Sequence, residues 1–176
     1  MSAQTKRHWM PVAQTPPSLT KKQWYLSSLV GIVFLAAGIL QLINFQNFSD
    51  NLAVLGFGSS SFWGGLIVFV ELWAAAGFFK IRLSFAFRAV SNFLAVATAG
   101  FWFYEALRQI SEGSSATANF FGKYLVEHPG WGTVIEATVF LALVLYLLET
   151  FIAVGSRPPI VTKVTRRSGK KAVQDV

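Results

Sequence analysis

Six side chains bring charge or hydrogen bonding into long apolar stretches: Glu71, Arg88, Asn92, Glu149, Arg108 and Glu136. An ionisable group at bilayer depth costs about 2.5–3.5 kcal/mol on insertion scales, so it faces a bundle interior and takes a partner. Glu71, Arg88, Asn92 and Glu149 are expected to form one cluster, with Arg88 bridging one or both carboxylates. Two kinds of chemistry fit such a cluster. It is either an ion pair that fixes helix register, or a proton-handling or quinone-head-group site, since one arginine facing two glutamates leaves a carboxylate over. Trp73 and Tyr146 would give a quinone or lipid an apolar wall. On the opposite side, Arg108 and Glu136 are expected to pair. No metal site is expected: the chain has no cysteine, and its only histidines are His8 and His128. No GxxxxGK[ST], HExxH or GxSxG motif is present. Nothing supports a self-contained enzyme.

These groups need elements to hold them at depth. The chain has 176 residues, 53% hydrophobic and 13% charged, with mean hydropathy +0.50. Soluble chains carry about 25% charged residues, so a soluble domain is not expected. Four apolar segments, 24–44, 62–79, 83–107 and 131–154, have the length of roughly 20 residues that a helix needs to cross a bilayer. Helices satisfy their own backbone amides, as lipid requires. The fold class expected is all-α: an integral membrane four-helix bundle over residues 23–155. A basic, mobile N-terminal tail (1–22) precedes it and a basic C-terminal tail (156–176) follows.

Helical spacing puts the polar groups on stripes of small residues. These are Gly64, Glu71 and Ala75 in span two; Arg88, Asn92, Ala95 and Ala99 in span three; and Thr138, Ala142, Tyr146 and Glu149 in span four. Span one offers Ser27, Gly31, Gly38 and Gln41. Residues 45–61 read as a loop, and 119–127 as a short helix lying on the outer membrane surface. Trp24 is expected at the inner interface and Trp63, Trp102 and Trp131 at the outer one.

Lys6, Arg7, Lys21, Lys22, Lys80, Arg82 and six basic residues from Arg157 to Lys171 fall on one side, against Arg108 and Lys123 on the other. Positive charge stays cytoplasmic, so both termini are expected there. The net charge of +7 is explained by topology and anionic lipid. It requires no nucleic acid.

Gly31 with Phe34-Leu35-Ala36-Ala37-Gly38, then Leu52 to Leu55, then Val70-Glu71-Leu72 through Gly77-Phe78-Phe79 and its basic link, together resemble the DoxX-like family of small four-helix membrane proteins. The resemblance covers roughly Ser28 to Ala99. The family often has a lysine a turn after the first-helix glycine, where this chain has Gln41. The resemblance implies a bacterial inner-membrane location and a role as an accessory or quinone-contacting subunit of a redox complex, with Glu71 as the residue carried over. A quinone would be the cofactor. The partners would be the lipid bilayer and a membrane protein or a second copy. A purely structural or assembly subunit is the alternative, and a small proton-coupled transporter a third reading.

Overall fold

Thr20 starts the first helix. Its hydroxyl accepts from the Gln23 backbone N–H while Gln23 Oε1 accepts from the Thr20 N–H at 2.9 Å, a reciprocal cap that satisfies two end amides. The computed structural model describes residues 17–113 and 130–155. Within them the chain is all-helical: α1 (Lys21–Ile43), α2 (Phe45–Val54), α3 (Ser60–Phe78), α4 (Phe85–Ser111) and α5 (Trp131–Gly155). All but α2 are long and apolar enough to cross a membrane. The expected spans are therefore present, and span three runs to Ser111. The tails and the expected helix over 119–127 lie outside the described residues, apart from 17–22 of the N-terminal segment.

Residues 45–61 correct the sequence expectation, for they contain α2. Asn44 (φ −115°, ψ 42°) breaks the helix after Ile43, and α2 begins at the next residue. The reason is burial: Phe48, Ser49 and Leu52 recur at helical spacing and point inward. α1 and α2 then run antiparallel along the whole of α3. From one end to the other, Ser27 Oγ donates to the Phe78 carbonyl at 2.6 Å, Gly31 lies beside Phe78, Gly38 beside Leu72 and Gln41 beside Glu71. The series continues with the Phe45 ring over Gly64, and ends where the Ser49 hydroxyl meets those of Ser60 and Ser61, each at 3.0 Å.

The four long helices form a ring in which α3 packs on α1, α4 on α3 and α5 on α4. α5 closes it on α1 over a shorter stretch, through Trp24 with Phe151 and Phe34 with Phe140. The backbones of α3 and α5 occupy opposite corners and do not approach. One end of the bundle carries Lys21, Lys22, Lys80 and Arg82; we call it the basic end, and the end with Asp50, Arg108 and Glu112 the far end. The core has two tiers. Val30, Phe34, Ala74, Ala75, Phe78, Ala95, Ala99, Val144, Leu147 and Phe151 fill the basic-end tier. Phe48, Leu52, Val68 and Trp102 fill the far-end tier.

Small residues set the helix separations, because in lipid no hydrophobic drive pulls helices together and close packing must do so. A Cβ on Gly38 would stand 2.9 Å from Leu72 Cδ2, and one on Gly77 would collide with the Ser91 Cβ. Gly77→Ala is therefore expected to destabilise the bundle by about 1–3 kcal/mol, the usual cost of overpacking. Adding Ser91→Gly should make the double substitution less damaging than the two singles together. Thermal unfolding of the four proteins in detergent checks both statements.

Candidate functional site

The inward stripe of α4 follows three- and four-residue spacing: Arg88, Ser91, Ala95, Thr98, Trp102, Glu105 and Gln109. All seven are buried, and only Ala95 lacks a side-chain hydrogen-bonding group. Polar groups along a helix seam inside lipid must find partners within the protein. Each therefore identifies which neighbour it was packed against.

Glu71 on α3 is fully buried. Nine residues separate it from Lys80, about 13 Å along a helix, which puts it near the middle of a bilayer-sized span. Its Oε1 accepts from Trp102 Nε1 at 2.9 Å and from Gln41 Nε2 at 3.3 Å. Three helices thus converge on one carboxylate oxygen. The other oxygen, Oε2, is buried without a hydrogen-bond partner. Gly38, one turn from Gln41, lets α1 approach to where its Cα faces Leu72 and the Glu71 Cβ.

Arg88 does not bridge Glu71, which corrects the expected cluster. Its Nη1 donates to the Gly77 carbonyl and its Nη2 to the Ile81 carbonyl at 2.9 Å. The last carbonyls of a helix have no partner within that helix and carry partial negative charge. The guanidinium thus holds the end of α3 at Gly77, six residues or about 9 Å from Glu71, together with the link at Ile81, and lies 5.6 Å from the centroid of the Phe151 ring. Arg88 ties α3, α4 and α5 together at the basic end.

The remaining expected residues are dispersed. Asn92 is buried beside Arg88's turn, with its Oδ1 unpartnered. Glu149 and Tyr146 are exposed on α5, on the outside of the bundle, so neither joins Glu71. Trp73 is half-buried on α3, stacked on Phe87 at 5.1 Å and edge-on to Phe69; its indole nitrogen is unpartnered. Trp73 and Tyr146 sit on helices at opposite corners and form no common wall. Glu136 is exposed on α5 and does not pair with Arg108. Arg108 instead lies 3.0 Å from Glu105 and 3.9 Å from Glu112, and donates to the Leu55 carbonyl at 2.8 Å. Helical neighbours at three and four residues are simply nearer than a residue on the next helix.

Sequence reading missed four polar members of the interior: Gln41 as a Glu71 ligand, Trp102, Glu105 and Gln109. Trp102 is 7% exposed; it serves the carboxylate and not the outer interface. The signal for the last three was the unbroken spacing 88, 91, 95, 98, 102, 105, 109. Among the described residues no group of His, Asp or Glu could hold a metal ion.

Fold and site define the class: an all-helical bundle with four helices of membrane-crossing length around a buried carboxyl group. Set against known proteins, the chain matches no family model, no curated protein and no solved structure.

Because Arg88 and Glu71 have separate partners, Arg88→Met is expected to destabilise by about 1–3 kcal/mol through two carbonyls left unpaired. Its effect should add to that of Glu71→Gln within about 0.5 kcal/mol, as for independent sites. A double-mutant cycle in detergent measures this, and a larger coupling would restore the ion pair.

Proposed function

We propose that this chain is a small multi-pass membrane subunit of DoxX-like type, an accessory and quinone-contacting component of a bacterial inner-membrane redox complex. The observation that carries the reading is the Glu71 carboxyl, enclosed at mid-depth with one oxygen held by Trp102 and Gln41 and the other unpartnered. A buried ionisable group inside a membrane span is costly and points to a functional site. A second feature supports contact with a planar, carbonyl-bearing head group. The Trp73 indole N–H is buried and unpartnered within an aromatic run of Phe69, Trp73 and Phe87, and aromatic rings with one donor suit such ligands. In this reading Glu71 gives or takes the proton, and Trp73, two residues on and so on another face of α3, contacts a head group outside the bundle interior.

The assembly reading has its own support. Only 17% of the apolar window of α5 is buried, against 39% in each of the other long helices. That flank faces lipid or a neighbouring subunit. Loss of the chain would then lower the abundance of a complex without changing activity per complex.

Isolation from native membranes in mild detergent separates the two. A stoichiometric redox subunit or quinone, with electron transfer lowered by Glu71→Gln and by Trp73→Leu, is the outcome expected of the first. Recovery with bulk phospholipid alone would sink both complex-subunit readings.

Both termini are assigned to the cytoplasm on the strength of Lys21, Lys22, Lys80 and Arg82 at one end. The chain has no cysteine, so single introduced thiols report cleanly. Arg82→Cys is expected to react with an impermeant reagent only from the cytoplasmic side and Gly58→Cys only from the outside.

A further inference from the structure

The buried seam of α4 is polar in its far-end half and apolar in the middle. From Glu71 outward it carries Trp102, Glu105 and Gln109, which are 7%, 2% and 2% exposed. Residues three or four apart on a helix stand about 5–6 Å from one another, so these side chains form a column. Glu71 Oε2 and both polar atoms of the Gln109 amide are buried with no hydrogen-bond partner. Glu105 Oε2 is ion-paired with Arg108 outside hydrogen-bonding geometry. Buried polar atoms in folded proteins are paired by protein or by water, and a buried water typically joins about three such groups.

Toward the basic end the seam changes character. Below Thr98 it passes Ala99 and Ala95, 1% and 0% exposed, packed with Val30, Val144, Leu147 and the stacked pair Phe34 and Phe78. These apolar side chains offer water no polar atoms, and apolar cavities stay dry; the unpartnered Asn92 Oδ1 and the Ser91 hydroxyl lie beyond them, toward the basic end. Of the charged side chains on the described elements, Glu105 and Arg108 face the far-end column besides Glu71, Arg88 is buried at the basic end of the same seam, and Glu112 is exposed beside Arg108. Lys21, Lys22, Asp50, Glu136 and Glu149 are exposed.

We propose that water occupies the far-end half of the α4 seam and connects Glu71 to the aqueous face at the Arg108 end, while the Ala95–Phe34–Phe78 tier closes the other side. Glu71 is then a one-sided proton-exchange site. Trp102 is a donor only and cannot relay a proton, so the water file passes its edge between Glu71 and Glu105. The proposal rests on Glu71 as the working group of the function given above.

The test uses the full chain in phospholipid vesicles with single substitutions Glu105→Cys, Gln109→Cys, Ala95→Cys and Ala99→Cys. The reagent is a charged, impermeant methanethiosulfonate. Only a thiolate reacts, and thiolates need water, so the 105 and 109 variants are expected to label at least about tenfold faster than the 95 and 99 variants, and from the Arg108 side alone. Equal, slow labelling at all four positions would overturn the proposal, as would labelling from the basic side. A second readout needs no substitution in the seam: exchange of the Trp102 indole proton in deuterated water, followed by NMR on the uniformly nitrogen-15-labelled protein. Exchange faster than that of the Ala95 and Ala99 backbone amides supports a hydrated seam, and equal protection refutes it. Both readouts use the isolated chain. A dry seam would leave the redox-subunit reading standing, and failure to recover a redox partner would leave the seam result standing.

Discussion

A carboxyl group that has neither bulk water nor a cation must be held by neutral donors, and much of this bundle's arrangement follows from that requirement at Glu71. The Trp102 indole comes from α4 and the Gln41 amide from α1, and both reach the same oxygen. For them to arrive, α1 must approach α3 closely, which Gly38 permits. α4 must turn its seam inward over its full length, which its three- and four-residue spacing provides. Neutral donors hold the group without the desolvation that a buried guanidinium would add. The arginine is placed instead where the backbone itself is negative, at the end of α3.

That division gives the two charged interior residues different tasks. Arg88 serves architecture: from α4 it reaches the Gly77 carbonyl at the end of α3 and the Ile81 carbonyl in the link that follows, and rests on Phe151 of α5. Glu71 draws α1 and α4 together through one oxygen and leaves the other without a protein partner.

How much of this could be read from the amino-acid sequence differs by level. The four long helices were legible because lipid imposes length and apolarity on each span, and Glu71 was legible because a charge in such a segment is conspicuous. α2 was not, for a short helix of mixed composition (Asn47, Ser49, Asp50 and Asn51 among its residues) resembles a loop until the pattern Phe48, Ser49, Leu52 is set against α3. Partner choice was the least legible. Helical faces and approximate depth brought Glu71, Arg88 and Glu149 together on paper. Which helices are neighbours around the ring, and that α5 turns Glu149 outward, are not local properties of any segment. Trp102 reads as an interface anchor because tryptophan at a span end usually is one, and only the carboxylate opposite it says otherwise.

The two-tier core has a consequence for how the molecule is fastened. The tiers are joined across the level of Glu71, Leu72 and Trp102, and α1 is already interrupted at Asn44, where the first tier gives way to the second. α2 is fastened at its own end by the Ser49–Ser60–Ser61 hydroxyls and by Arg108 on the Leu55 carbonyl, independently of the packing around Phe34 and Phe78. Only α3 and α4 run unbroken through both tiers; on the α1 side the far-end tier hangs on a helix of its own, so the same break that ends α1 gives that tier its own set of fastenings, on the side of the bundle where the polar seam emerges.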